Sequence, residues 1–124
     1  MKLSIYISGK ITGEETEACR LKFATAEKML KKLGVDTVIN PMALGIPINW
    51  DWDEAMALCM KVLKEKATSV YQLNDWIESE GAMREYQYAH NHNYRVFNED
   101  DIEKITCLVA HSGQWPDTSR YEFP

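Results

Sequence analysis

The stretch LSIYISGKITG, Leu3 to Gly13, decides the fold that this sequence predicts. Its first six residues are rich in β-formers and almost continuously apolar, which is typical of a strand buried on both faces and therefore of a parallel sheet. Gly9 and Gly13 then predict a turn. Thr12 and Glu15 have the spacing of a capping box, so a helix is predicted to begin here.

The same alternation of strand and helix continues along the chain. The first helix is predicted to run to about Leu33 and to end at Gly34, because glycine is common just past a helix end. Further predicted elements are strands at Asp36–Asn40, Thr68–Leu73 and Tyr94–Asn98 and helices at Trp50–Lys66, Ser79–Asn91 and, more briefly, Asn98–Ile105. A weak fifth strand is predicted at Cys107–Ala110, and residues 111–124 show no clear period.

This order of elements predicts an α/β fold. We expect a single-domain Rossmann-like or flavodoxin-like three-layer sandwich over residues 1–124, with a parallel sheet of four or five strands and helices on both faces. In such folds ligands bind at the carboxyl ends of the strands. That rule points to residues 9–13, 40–53, 74–85 and those after Phe97.

Composition narrows the possible partners. The net charge is -5 and the pI about 5.2, which argues against a nucleic acid polymer but is compatible with a small phosphorylated ligand. The three cysteines form no CxxC pair, so neither a zinc site nor a disulfide framework is indicated, and reduced thiols predict a cytoplasmic protein. No apolar run is long enough for a signal peptide or a membrane span, and no cofactor or metal is expected.

One carboxylate occupies a position where an apolar side chain is expected. In the helix predicted to start near Ser79, residues 82, 85, 86 and 89 follow the spacing of one helix face, and Glu85 shares that face with Ala82, Tyr86 and Ala89. No Lys or Arg lies three or four residues away to pair with it. A buried carboxylate without a partner is costly unless it does chemistry, so we expect Glu85 to face a cleft.

Three other stretches at strand ends are candidates for a binding site, and two of them also permit a purely structural interpretation. The turn SGKITG is either a ligand-approach loop or a tight turn with a helix cap. Ser79 is an expected N-cap whose following amides would bind an anion, with Gly81 allowing close approach. Asp51 and Asp53 either favour a helix N-terminus electrostatically or belong to a lid in which Trp50 or Trp52 stacks on a base.

Together these stretches resemble a known superfamily. YISGKITG at 6–13, Asn40-Pro41, the Trp50 to Met60 region and DWIESEGAMREYQYA at 75–89 resemble the nucleoside 2-deoxyribosyltransferase-like superfamily. The chain is similar to an uncharacterised branch of it, a domain of unknown function, and also to the deoxynucleoside 5′-monophosphate N-hydrolases. The resemblance covers about the first three-quarters of the chain.

The resemblance implies a reaction and its residues. Glu85 matches the nucleophile that attacks the anomeric carbon of a deoxyribosyl group, and Ser79 matches the serine that binds the 5′-phosphate. Asp75 is a candidate proton donor to the leaving base, with Asp51 and Asp53 as alternatives. The full set expected to bind substrate is Tyr6, Gly9, Lys10, Ile11, Gly13, Asn40, Pro41, Trp50, Trp76, Ser79, Gly81 and Ala82.

Two departures from the superfamily pattern leave alternatives open. Thr68 stands where an aspartate at the start of the third strand usually helps the base to leave, and Thr12 stands where the N-hydrolases carry an arginine. The leading hypothesis is hydrolysis or transfer at the N-glycosidic bond of a nucleoside or nucleotide. A binding module without turnover, or a structural protein in which Glu85 pairs with a cation, are the alternatives. A homo-oligomer is implied by the resemblance.

Overall fold

A computed structural model describes residues 3–47 and 49–111 of the chain. The strands in this part are β1 (Ser4–Ser8), β2 (Thr37–Ile39), β3 (Ser69–Gln72) and β4 (Arg95–Asn98). The α-helices are α1 (Thr16–Lys32), α2 (Trp52–Lys66), α3 (Glu80–Asn91) and α4 (Ile102–Ala110), with short 3-10 turns at Pro41–Ala43 and Trp76–Glu78. No helix among the described residues is long and apolar enough to cross a bilayer.

The strands form one parallel sheet in the order β2-β1-β3-β4. In register, Tyr6 of β1 lies beside Ile39 of β2 and Val70 of β3. The chain crosses outward from β1 to β2 and then back past β1 to β3, so the strand order reverses beside β1. Ligands bind at such a switch point in open α/β sheets. The predicted α/β sandwich with a parallel sheet is confirmed.

Alternate residues of β1 divide the core into two layers. Leu3, Ile5 and Ile7 face the layer that α1 and α4 cover, together with Phe23, Leu30, Tyr71, Phe97, Ile105 and Leu108. Tyr6 faces the opposite layer with Ile39, Cys59, Leu63, Val70 and Ala89, which α2 and α3 cover. Both faces of the strand are therefore buried, as the apolar run at 3–8 predicts.

The chain after β4 differs from its prediction. A short helix at Asn98–Ile105 followed by a fifth strand at Cys107–Ala110 is wrong, because a single helix, α4, spans 102–110. Ile105 and Leu108 are buried on one face of it, with the three-residue spacing of a helix. Short apolar runs such as CLVA do not distinguish strand from helix by themselves. The predicted irregularity of 112–124 lies outside the described residues.

Two helix starts also differ from prediction. The capping box of Thr12 with Glu15 is wrong, since Glu15 is itself the N-cap of α1 and accepts a hydrogen bond of 2.6 Å from the Ala18 amide. Residues 11–14 instead form a turn, closed by the Glu14 amide on the Ile11 carbonyl. Likewise α2 starts after a capping box of Asp51 with Glu54, two residues later than predicted.

The placement of α4 leads to a stability test. Ile105→Ala removes a fully buried side chain from the layer between the sheet and α4, so we expect it to lower the free energy of unfolding by about 2–5 kcal/mol. Glu103→Ala, an exposed position on the same helix, is the matched control and should cost less than about 1 kcal/mol. Chemical denaturation measures both. Similar losses at the two positions would contradict the observed packing of α4.

Candidate active site

A cavity of about 360 Å³ opens at the carboxyl ends of the strands, between the sheet and the starts of α1, α2 and α3. Its volume lies within the roughly 300–1,000 Å³ range of small-molecule pockets. The residues predicted for the site that line this cavity are Tyr6, Gly9, Ile11, Pro41, Ser79, Gly81, Ala82 and Glu85. The turn after β1 and the start of α3 therefore line one cavity, although about 70 residues separate them in sequence.

The carboxylate of Glu85 is held inside this wall by two hydroxyl groups of β1. Glu85 is 5% exposed. The Tyr6 hydroxyl donates a hydrogen bond to its Oε2. The Ser8 hydroxyl donates one to its Oε1 over 2.7 Å. Each carboxylate oxygen keeps a lone pair beyond the one it uses, so the group remains able to react toward the cavity.

These surroundings set the charge of the site. Burial raises the pKa of Glu85 from 4.5 to about 7, and the hydrogen bonds from Tyr6 and Ser8 partly oppose that rise. Burial and the neighbouring Glu85 charge hold the pKa of Tyr6 well above its ordinary value, so its phenol stays protonated and remains a donor. Near neutral pH the carboxylate is thus partly ionised, which suits a group that reacts as a nucleophile or accepts a proton.

The local sequence explains how the parts meet. Tyr6 and Ser8 are two residues apart on β1, so their side chains project from the same face of the sheet. Ser79 caps α3 by accepting a hydrogen bond of 3.1 Å from the Ala82 amide. This cap begins α3 so that Glu85, with Ala82 and Ala89, points at the sheet. At Gly81, a Cβ would lie 3.1 Å from the Met56 sulfur, so glycine lets α2 and α3 approach.

Asp75 holds the loop after β1 and does not line the cavity. Its Oδ1 accepts the Lys10 amide over 3.0 Å and its Oδ2 pairs with the Lys22 ammonium at 2.5 Å. Lys22 also donates to the Lys10 carbonyl over 2.9 Å. Burial by itself would raise the pKa of Asp75, but Lys22 and the Lys10 amide lower it below its usual value. Asp75 therefore lacks the position and the proton of the predicted acid.

Five further predicted residues also lie outside the cavity wall. The backbone of Lys10 is occupied by Asp75 and Lys22, and Gly13 forms a turn at a φ of +83°. Asn40 caps the 3-10 turn at Pro41 through the Met42 amide, over 2.9 Å. The remaining two are Trp76, whose ring centroid is 5.0 Å from that of Tyr86, and Trp50, which precedes the cap of α2. Asp51 and Asp53 are exposed at that helix start.

Several residues at the site were not predicted from the sequence. Ser8 is the last residue of the predicted buried strand, and its spacing from Tyr6 is the available signal. Cys59 of α2 and Arg20 of α1 also line the cavity. Of the two tryptophans predicted as alternatives for stacking on a base, Trp52 lines the cavity and Trp50 does not. Nothing in their spacing along the chain indicates that they converge, because they come from different elements.

Thr68 does not line this cavity. It precedes β3 at the amino edge of the sheet, opposite the cavity, and its hydroxyl exchanges hydrogen bonds of 3.2 Å with the Ser4 backbone. The departure from the superfamily pattern at this position is therefore remote from Glu85. Thr12, in contrast, does line the cavity.

Within residues 3–47 and 49–111, neither a cation paired with Glu85 nor a cluster of metal ligands is present. No Lys or Arg in these ranges forms an ion pair with Glu85, whose hydrogen-bond partners are the two hydroxyls. The cation pairing that a purely structural role predicts is thus not seen there. No group of three or more His, Cys, Asp or Glu side chains in the same ranges is placed to hold a metal ion.

Comparison with known proteins gives one family match. A family model described as a domain of unknown function, DUF4406, matches residues 3–98. That range contains β1 to β4, and with them the cavity and Glu85. No curated protein matches the chain.

The raised pKa of Glu85 predicts a pH-dependent cost to stability. The folded protein keeps a proton that the unfolded chain loses above pH 4.5, so the unfolding free energy falls as pH rises from there through about 7. Glu85→Gln removes this titration. We expect its stability relative to wild type to improve between about pH 5 and pH 8, by about 3 kcal/mol at most.

Denaturation of both proteins across this pH range measures the difference. Glu65→Gln, at an exposed position on α2, makes the same chemical change away from the site and is the matched control. A pH-independent difference for Glu85→Gln would show that Glu85 titrates as it does in the unfolded chain, contrary to the burial that the structure shows.

Proposed function

The chain belongs to the DUF4406 family, a domain family of unknown function, and we propose that it cleaves the N-glycosidic bond of a nucleoside or nucleotide with Glu85 as the nucleophile. The observation that carries the proposal is a buried carboxylate, held by Tyr6 and Ser8 at the wall of a ligand-sized cavity. The resemblance to the nucleoside 2-deoxyribosyltransferase-like superfamily, in which a glutamate at this position is the nucleophile, supports the same chemistry.

The reaction has two steps. In the first, a carboxylate oxygen of Glu85 bonds to the anomeric carbon while the carbon–nitrogen bond breaks, and its electron pair leaves with the base, which takes up a proton from solvent. In the second, water attacks the anomeric carbon of the glycosyl ester, loses a proton and releases the carboxylate. A second base in place of water would give transfer instead of hydrolysis. Retention of configuration is expected, as for two successive displacements.

The hydroxyls of Tyr6 and Ser8 serve this chemistry by orientation. They hold both carboxylate oxygens, so the group reaches the anomeric carbon in a fixed direction and loses little rotational freedom on reaction. The same bonds stabilise the ionised form against burial. A nucleophile with a pKa of about 7 is substantially ionised at neutral pH without being so strongly solvated that its reactivity is lost.

The apolar part of the cavity lining suits a planar, weakly polar base. It contains the residues Pro41, Met42, Ile46, Pro47, Trp52 and Met56. The Arg84 guanidinium lies over the Trp52 ring, 4.8 Å from its centroid, and restricts the orientation of that ring. An aromatic base gains favourable contacts on such a surface.

The start of α3 favours a substrate with a phosphate. Because Ser79 caps the Ala82 amide, the amides of the two intervening residues remain available at a helix N-terminus. Arg20, which also pairs with Glu17 at 2.7 Å, is the cationic side chain that lines the same cavity within the described chain. An anion in this cavity would therefore meet the partial positive charge of the α3 start and a guanidinium among the lining residues, on a protein that is acidic overall.

One observation favours binding without turnover. Asp75, Asp51 and Asp53, the predicted proton donors for the leaving base, do not line the cavity. A nucleotide-binding module of the same fold is accordingly the second candidate function. The two functions differ in what Glu85 does: binding needs its shape and hydrogen bonds, whereas cleavage needs its nucleophilic oxygen.

Base release from a panel of ribo- and deoxyribonucleosides and their 5′-monophosphates distinguishes these functions. We expect the wild-type protein to release a base from at least one member of the substrate panel. Chromatography measures that release. Glu85→Gln keeps the size of the side chain and one acceptor oxygen, replaces the other oxygen with an amide donor and removes the nucleophile, and should lower the rate by roughly 10³-fold or more. Glu65→Gln serves as the control and should retain the wild-type rate.

Undiminished release by Glu85→Gln would exclude Glu85 as the nucleophile. If wild type releases no base, yet calorimetry shows a panel member binding equally to wild type and Glu85→Gln, the binding module is the correct function.

A pair of substitutions at Ser79 tests the phosphate site. Asn and Asp both cap helices well, so Ser79→Asn and Ser79→Asp should leave α3 comparably stable. Asp alone places a negative charge where the phosphate is proposed to bind. The quantity to compare is the ratio of kcat/KM for the monophosphate to kcat/KM for the nucleoside. We expect this ratio to be lower in Ser79→Asp than in Ser79→Asn by about tenfold or more. The same ratio in both variants would place the phosphate elsewhere.

A further inference from the structure

A second cavity lies on the other face of the sheet from Glu85. Its volume is about 480 Å³, which falls within the roughly 300–1,000 Å³ range of small-molecule sites. Residues of α1, Tyr71 of β3 and Glu99 from the turn after β4 line it. Tyr71 belongs to the core layer that α1 and α4 cover, whereas Glu85 bonds to Tyr6 in the layer of α2 and α3. Among the described residues, the two cavities share no lining residue.

Within residues 3–47 and 49–111, two polar side chains of the second cavity have no bonded partner. Tyr71 is 3% exposed, yet its hydroxyl forms no hydrogen bond with this part of the chain. The carboxylate of Glu99 forms neither a hydrogen bond nor an ion pair there. Buried polar groups in folded proteins are nearly always hydrogen-bonded, so an unpaired phenol in a cavity lining is a place where a bound group gains a partner.

Both unpaired groups can accept hydrogen bonds. Burial and the charge of Glu99 raise the pKa of Tyr71 to about 12, so the phenol keeps its proton at neutral pH. Its oxygen has lone pairs that accept, and a carboxylate only accepts. A primary ammonium has three N–H donors and no acceptor, so one such group can bond to Tyr71 and Glu99 together.

The charges around the second cavity favour a cation. Lys22 lines it, but the Lys22 ammonium is already paired with the carboxylates of Asp75, at 2.5 Å, and Glu14, at 3.3 Å. One positive group therefore lies beside three carboxylates once Glu99 is included. This excess of negative charge attracts a cation and disfavours an anion.

The apolar part of the lining suits a hydrocarbon stem. Ala26 and Leu73 are buried core residues that also line this cavity, as does the partly buried Met29. Leu21 lines it as well and is 67% exposed, so a large apolar side chain is left uncovered on the surface of α1. A stem in contact with these residues would remove apolar surface from water, which is favourable.

We propose that the second cavity is a binding site for a small primary amine with an apolar stem. The ammonium donates hydrogen bonds to the Glu99 carboxylate and the Tyr71 oxygen, and the stem contacts Leu21, Met29 and Leu73. The site is separate from the reaction proposed for Glu85 and does not depend on it.

The competing interpretation is an ordinary surface groove. In that case water satisfies Tyr71 and Glu99, and an amine gains no more from the cavity than an uncharged alcohol of the same length. The two interpretations therefore differ in two measurable quantities: the preference for ammonium over hydroxyl, and the dependence of that preference on the two side chains.

Titration of the full chain with n-hexylamine, measured by nitrogen-15 NMR of the backbone amides, tests the proposal. We expect saturable shifts of the signals of α1 and of the turn at Glu99. n-Hexanol has the same stem without the charge and should bind at least about fivefold more weakly. Glu99→Gln removes the charge and should weaken hexylamine binding by about fivefold or more, and Tyr71→Phe removes the phenol oxygen and should weaken it by about threefold.

Asp100→Asn is the matched control, because it removes one negative charge from an exposed position next to Glu99 and outside the cavity lining. Its affinity for hexylamine should stay within about twofold of the wild-type value. Glu85→Gln should also bind hexylamine as wild type does. A failure of the proposed reaction would therefore appear in the base-release panel and not in this titration.

Three results would overturn the proposal: no saturable shifts in wild type, equal binding of hexylamine and hexanol, or hexylamine affinities that Glu99→Gln and Tyr71→Phe leave unchanged. Nα-acetyl-lysine N-methylamide presents the same ammonium within a peptide and should bind more weakly than hexylamine, because its amide groups would lie against apolar residues. Tighter binding of this probe would overturn the assignment to a free amine and assign the cavity to a lysine side chain of a polypeptide.

Discussion

The pair of hydrogen bonds from Tyr6 and Ser8 to Glu85 is the constraint on which the rest of the site depends. A carboxylate that is 5% exposed would lose several kcal/mol of hydration without partners. The two hydroxyls offset part of that loss, and they do so from an inner strand of the sheet. Because β1 is buried on both faces, the hydroxyls cannot move away, and α3 is drawn to the sheet by a polar contact as well as an apolar one. A charged group is thereby kept where it faces a cavity instead of water.

The parallel sheet brings the loops and helix starts around this contact together at one edge. Parallel strands end at one edge of a sheet, so the turn after β1, the turn after β2 and the starts of α2 and α3 meet there. Lys22 and Asp75 fix the turn after β1 by binding both backbone groups of Lys10. These ion-paired groups act on the loop rather than on a ligand. The charged groups at this edge therefore have two roles. The ion pair of Asp75 with Lys22 holds the loop that borders the cavity, whereas the carboxylate of Glu85 lies in the cavity lining.

The candidate site could be predicted in part from the sequence because some signals are local. Glu85 violates the apolar pattern of its own helix, and Ser79 stands at the expected cap position, so both were identifiable within about ten residues of sequence. Asp75 shows the limit of such reasoning: a carboxylate after a strand end is equally suited to catalysis and to an ion pair, and the partner, Lys22, lies 53 residues away. Ser8, Cys59 and Arg20 share this limitation, since nothing near them in the chain marks them as neighbours of Glu85.

The sequence by itself determined the α/β architecture, the order of its strands and helices up to β4, and the anomalous position of Glu85, because these follow from short-range periodicity and capping. The single helix α4 in place of a helix and a strand was decided by packing, since Ile105 and Leu108 bury against the sheet only in a helical arrangement. Only the tertiary structure decided that Glu85 is held by hydroxyls from β1 rather than by a cation, and that Asp75 and Thr68 lie away from it. The physical reason is that hydrogen bonds and ion pairs act over about 3 Å, whereas the residues they join here are 53 to 79 apart in sequence.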